Sequence, residues 1–297
     1  MGTRGLSLVG FYDEERDALA HLRNTCVFGN ASDVSLRAEW VAARSKVGPP
    51  VPRAGAPEAR QFEVADAAYV RELRAQPWVK SLLRKPAYQS AEFKLVEIEP
   101  LLAHQPFIDL ERVQDGSRRL SGSTIAELMP ICLPQAAPQP LEPPTVVAQQ
   151  PHSIVIKSRR AHVEALVPSV MTIDHDGFEH TLAGVNLHLA LPFINVVRLG
   201  GRYVLRSGYH RVFGAAKLGA THIPCLVRDI TYSNSSDGSL HPSEWLMMPR
   251  RLLESANPPT LAHFLKGRAH DVILRATSLV LQITWGYHRI PDEYDGL

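Results

Sequence analysis

Apolar residues recur at helical spacing near the start of the chain, at alternating spacing through its middle, and in mixed runs at its end. Residues 11–45 read as helical. Glu14 to Arg23 is rich in helix formers, and Asn30 to Asp33 is a helix-start signal. Val34, Leu36, Trp40, Val41 and Ala42 then give an apolar face to about Arg44. Gly48 to Pro57, rich in proline and glycine, breaks regular structure and reads as a linker. A second helical stretch is predicted over 64–83, with Tyr69, Val70, Leu73, Trp78 and Leu82 toward a core and Pro77 dividing it.

Alternation takes over at Phe93 to Ile98, which predicts a strand. The seven prolines of 130–151 predict an extended strap, because proline lacks the backbone donor that regular structure needs. Ser153 to Lys157 is a further strand, followed by a mixed region holding His175, Asp176 and His180. Ile194 to Arg198 and Arg202 to Arg206 flank Leu199-Gly200-Gly201, a hairpin signal. Ile223 to Val227 reads as the next strand. Helices are predicted around Trp245–Ser255 and Thr260–Ala269, and a strand over Leu279–Trp285. No repeat occurs at solenoid spacing.

Composition changes this picture little. The chain has 297 residues, enough for a sizeable core, with 45% hydrophobic and 21% charged residues. A formal charge of +2 neither requires nor excludes a nucleic-acid partner. Three scattered cysteines argue against a disulfide framework and suit a reducing cytoplasm, the expected location. The first residues make a poor signal peptide, and no apolar run is long enough for a membrane span.

Chemistry concentrates between the hairpin and the strand at Ile223. Ser207 is a natural helix N-cap, and Gly208 allows backbone angles closed to other residues. Val212, Ala215 and Ala216 fit one face of a short helix that ends at Gly219. The N–H groups of about 208–211 then lack intrahelical partners and sit at the positive end of the helix dipole, which favours an anion. Arg211 can add a forked pair of hydrogen bonds to phosphate, and His210 can donate or shuttle a proton. The bland alternatives are that Arg211 fixes the fold and that His210 satisfies a carbonyl.

Other constellations are weaker. Asp174, Asp176 and His180 could hold a divalent cation, but a polar turn is the commoner explanation. Gly286-Tyr287-His288-Arg289 repeats the letters of the phosphate turn, yet Pro291 follows almost at once and leaves no helix behind it. The arginine pairs at 118–119, 159–160 and 250–251 have no regular spacing, and Cys225 reads as a small core residue.

Gly208-Tyr209-His210-Arg211, Ala215-Ala216-Lys217-Leu218-Gly219 and Ile223-Pro224 together resemble the core of the ParB/sulfiredoxin superfamily. Phe93 to Asp109, with Gln105-Pro106, resembles that family's opening strand, short helix and loop. The two blocks cover about 55 residues. The resemblance implies an α/β (α+β) fold with three parts. These are a helical N-terminal region over 1–89, a ParB/sulfiredoxin-like domain over 90–232 with an insertion at about 111–190, and a mostly helical C-terminal extension over 233–297. It implies a nucleotide or phosphate site formed by Ser207, Gly208, Tyr209, His210 and Arg211 with His104 and Gln105. His210 and Arg211 would be the catalytic pair, with Mg or Mn as the cation accompanying a nucleotide. Glu97 and Asp109 are the candidate carboxylates for that metal. The activities in view are NTP hydrolysis, phosphoryl transfer and DNA cleavage; the alternative is a DNA-associated adaptor that kept the fold without chemistry. Departures narrow the choice. Tyr209 stands where sulfiredoxins carry their catalytic cysteine. Tyr209 and His210 replace the Glu-Arg of chromosome-partitioning members, and Phe107 follows Gln-Pro where those proteins carry arginine.

Overall fold

The computed structural model describes residues 2–27, 31–85, 88–117, 120, 122–137, 145–150, 153–158, 163–175, 178–189, 192–230, 250–275 and 279–284. The chain begins with strand β1 (Gly2–Ser7) and a 3-10 turn (Val9–Phe11), then helices α1 (Glu15–Thr25) and α2 (Asp33–Arg44). Strand β2 (Ala59–Arg60), helices α3 (Val64–Ala75) and α4 (Pro77–Leu83), and strands β3 (Glu92–Glu97), β4 (Leu102–Ala103) and β5 (Phe107–Asp109) follow. Next come α5 (Leu110–Ser117), α6 (Ile125–Cys132), β6 (Thr145–Gln150), β7 (Ser153–Ser158), β8 (Val163–His175) and β9 (Phe178–Leu189). The last stretch holds β10 (Asn195–Leu199), β11 (Arg202–Ser207), α7 (Tyr209–Lys217), β12 (His222–Ile230), α8 (Arg250–Glu254), α9 (Leu261–Leu265), β13 (His270–Arg275) and β14 (Leu279–Thr284).

The fold is thus mixed, with helices and sheets, and it divides into two compact units. One comprises Met1–Pro138 with Glu164–Ala276; the other comprises Gln139–Val163 with Thr277–Leu297. In the second unit β7 pairs antiparallel with β6 and β14. The first unit spans the expected boundaries at 89 and 232. The expected insertion at 111–190 contributes α5 and α6 to the first unit, and β6 and β7 to the second.

A six-stranded mixed sheet, in the order β2-β3-β12-β10-β11-β4, carries the first unit. The β10–β11 hairpin is antiparallel and turns at Gly200 and Gly201, both at positive φ. β12 returns through α7 to lie parallel to β10, and β4 lies parallel to β11. The central strands are buried on both sides: Val196, Val197, Val204, Leu205, Cys225 and Leu226 are all at most 1% exposed. Such double burial explains their nearly continuous apolar sequence.

Several predicted elements form as the pattern indicated. Ser32 caps α2 by accepting from the Ser35 N–H at 3.3 Å. Pro77 opens α4, where its missing N–H costs nothing. Two expectations need correction. The N-terminal region is not purely helical, because β1 forms a sheet with β13 on one side and β5 on the other. The C-terminal part is not mostly helical among the described residues, since β13 and β14 together outlast the short α8 and α9. Both strands depend on partners more than a hundred residues away in sequence, and local periodicity carries no such information. A side chain at Gly5 would meet Leu274 Cδ1 at 2.3 Å and the Ile108 carbonyl at 2.8 Å, so small residues let this sheet close. Within the proline-rich segment, α6 runs through Pro130 behind a Thr124–Glu127 capping box, and β6 occupies 145–150. Asp176, Trp285, the Gly286–Arg289 turn, the arginine pairs at 118–119 and 159–160, and the 245–249 end of one predicted helix lie outside the described residues.

Candidate functional site

The predicted phosphate turn lies where β11 ends and α7 begins. Ser207 is still a strand residue, paired with Asn195, and its hydroxyl donates to the Phe193 carbonyl at 3.4 Å. It is therefore not the cap that the sequence suggested. The cap is Gly208, at φ 95° and ψ 16°, a left-handed conformation that reverses the chain into the helix. A Cβ there would meet Ile194 Cγ1 at 2.8 Å, so glycine is required by both angle and space.

The first helical bond runs from the Val212 N–H to the Gly208 carbonyl at 2.9 Å. Amides ahead of it have no carbonyl within the helix to use. The first turn of α7 carries no acidic residue to compete with an anion, and the nine-residue helix contributes its dipole.

Tyr209 joins this turn to the second predicted loop. Its hydroxyl donates to the Leu205 carbonyl at 2.5 Å and accepts from the backbone N–H groups of His104 at 2.8 Å and Gln105 at 3.0 Å. One donor and two lone pairs are then all in use. The ring is 2% exposed, and burial pushes the phenol pKa well up, so the hydroxyl stays protonated. Tyr209 is a clamp between the two loops; what it can offer a phosphate is its backbone N–H. On the same turn His210 Nε2 accepts from the Asp109 N–H at 3.3 Å. The two loops that the resemblance paired thus meet through three hydrogen bonds.

Arg211 faces the opposite way from a purely phosphate-binding arginine. Its Nη1 donates to the carbonyls of Ile131 at 2.9 Å and Pro192 at 2.5 Å, tying α7 to the end of α6 and to the approach to β10. Burial lowers its pKa. A phosphate would have to use the Nη2 and Nε edge. Gln105, buried, spends its side-chain amide on the Phe107 carbonyl at 2.8 Å.

The two candidate metal carboxylates do not come together. Asp109 belongs to the β5 sheet and Glu97 to the six-stranded one. Asp109 accepts from the N–H groups of Glu111 at 2.9 Å and Arg112 at 3.2 Å, which starts α5, and from the Thr3 hydroxyl at 3.0 Å. Glu97 accepts from the Glu58 N–H at 3.0 Å and faces Arg53 at 3.3 Å. Among the described residues no cluster of three or more His, Cys, Asp or Glu is placed to hold a metal ion.

Comparison with known protein families, with curated proteins and with solved structures finds no match to this chain.

The structure adds one residue that sequence reasoning passed over. Asn195 opens β10, opposite Ser207, and is 1% exposed. Neither its amide nitrogen nor its oxygen has a hydrogen-bond partner. The only sequence signal was a polar residue inside the apolar run 193–197, which a strand reading absorbs without comment. His104 shows the same feature, with Nδ1 buried and unpartnered. Burial, reinforced by the Arg206 charge, lowers the His104 pKa to about 4, against smaller opposing hydrogen bonds at the His104 and Arg206 backbone.

Proposed function

We propose that the first unit is a nucleotide- or phosphate-binding domain of the ParB/sulfiredoxin type, with the phosphate held at the start of α7. One observation carries this reading. The Gly208-led turn and the His104–Gln105 loop, far apart in sequence, are fastened together by Tyr209 around a helix N-terminus free of acidic residues. Backbone amides of the first turn would take phosphate oxygens, with Arg211 and His210 beside them. The order β3-β12-β10-β11-β4, in which α7 links β11 to β12, supports the assignment because it keeps the resembling segments contiguous in one sheet. A cytoplasmic setting agrees with three free, buried thiols.

Binding without turnover, as in a DNA-associated adaptor, is the second reading. Arg211 Nη1 is already committed to two carbonyls, and Asp109 and Glu97 already hold backbone amides, so catalytic groups would first have to be released. The test is calorimetric titration of the protein with ATP, CTP, GTP and ADP in Mg and in Mn, alongside phosphate release and cleavage of supercoiled plasmid. Arg211→Ala, with its melting temperature recorded, is run in parallel. Saturable binding supports the domain assignment, and turnover separates enzyme from adaptor. No binding and no turnover in any condition overturns it.

A further inference from the structure

A buried polar side chain without a partner costs stability, and each one in a folded protein calls for an explanation such as a missing water, ion or ligand. Asn195 and the Nδ1 of His104 are two such groups, and they lie on the chain segments either side of the last residues of β11. β11 ends at Ser207; Asn195 pairs with Ser207 from β10, while β4, parallel to β11 on its other edge, leads through Ala103 directly into His104. The Gly208 turn and the α7 N-terminus follow immediately after Ser207.

We infer that Asn195 and His104 are side-chain ligands for a dianionic phosphate or sulfate group at the end of β11, and that His104 takes up a proton when the anion binds. The inference rests on the phosphate-site reading and deepens it by giving His104 a proton-dependent role and adding Asn195, which lies outside the Gly-x-x-Arg turn and the His104–Gln105 loop. Asn195 offers two N–H donors to anion oxygens. An unprotonated His104 Nδ1 is a buried lone pair; once protonated it becomes a donor that an anion satisfies. The groups facing His104 are Arg206 from β11 and Tyr209 from α7, whose ring packs edge-on at 6.1 Å. The Tyr209 phenol remains protonated. His210 on α7 and Asp109 on β5 are the other titratable groups of this turn and loop, and His222, at the start of β12 beyond the far end of α7, supplies the control variant. Burial, with the Arg206 charge, keeps His104 neutral with a pKa of about 4, and a dianion beside it raises that value.

Sulfate is the probe, because its charge is constant across the relevant pH range. Wild-type protein, His104→Gln, His222→Gln and Asn195→Val are titrated with sulfate between pH 5 and 7.5 by calorimetry, and each is melted without ligand. In wild type the affinity should rise as pH falls, by up to about tenfold per pH unit, the limit for uptake of one proton. That slope should vanish in His104→Gln and persist in His222→Gln. Asn195→Val should melt at or above the wild-type temperature without sulfate, since an orphaned amide has been replaced by an apolar group, yet bind sulfate at least tenfold more weakly. Asn195→Val that melts lower while binding sulfate normally, or a pH slope retained in His104→Gln, overturns this inference and leaves the phosphate site standing. Absence of binding by wild type at every pH removes both.

Discussion

Replacing Tyr209 with phenylalanine removes one oxygen atom and tests the joint on which the site depends. The phenyl ring keeps its buried position, so little volume is lost. What disappears is the acceptor for the His104 and Gln105 N–H groups and the donor to the Leu205 carbonyl. Each buried backbone group left unsatisfied costs about 1–3 kcal/mol. Gln105 is buried and His104 largely so, and we expect a loss of about 3 kcal/mol for the pair of amides. At about 2–4 °C per kcal/mol for a unit of this size, the melting temperature should fall by roughly 10 °C. The assay is urea unfolding at neutral pH with the slope checked for constancy, joined to hydrogen exchange at individual amides. Exchange should accelerate most at His104 and Gln105, since these lose their acceptor while the sheet on either side does not. A loss below about 1 kcal/mol with unchanged protection at those amides would show that the loop is held by other contacts, and that Tyr209 is not the clamp.

Three other perturbations follow from the same structure. His21, His104 and His263 are each lowered to about 4 by burial. The unfolded chain binds their protons near 6.5, so each contributes about 3 kcal/mol above that value, lost progressively as pH falls toward 4. Unfolding free energies from pH 7.5 to 4 should therefore drop steeply below pH 6, and a flat profile, or imidazole NMR titrations near 6.5, refutes it. Gly208→Ala combines a positive φ with a 2.8 Å approach to Ile194 and should cost at least about 1 kcal/mol while distorting the start of α7, read by denaturation and by anion affinity. Arg211→Ala should cost about 1–3 kcal/mol, because it strands the Ile131 and Pro192 carbonyls. An unaltered melting temperature would return Arg211 to a purely ligand-binding role.

The legible and illegible parts of the fold separate along contact range. The β10–β11 hairpin, α7 and β12 were readable because each depends on signals inside about 35 residues: a glycine turn, one apolar helix face and a continuous apolar strand. β1 and β13 were not, since Gly2–Ser7 has only weak alternation and acquires its register from residues 270–275 and 107–109. At the site, the Gly208 reversal could be read from residue type, whereas Ser207 could not be placed. A serine before glycine looks like a cap, but pairing with Asn195 keeps it in the strand. Arg211 was ambiguous in sequence for a physical reason: a guanidinium suits carbonyls and phosphates equally well. Only the positions of Ile131 and Pro192 decide where Nη1 goes.

Tyr209 acts through its hydrogen bonds rather than as a reactive group. A phenol 2% exposed cannot act as a nucleophile when its hydroxyl is saturated and its pKa is raised by burial. The same saturation fastens the Gly208 turn to the His104 loop. Pre-organisation of that kind lowers the ordering cost of binding. Conversion to an enzyme would need a reactive group at the anion, and the two closest side chains are otherwise engaged: His210 Nε2 with the Asp109 amide, and Arg211 Nη1 with two carbonyls. Measured turnover at this turn would therefore require His210 or Arg211 to exchange those partners when ligand binds.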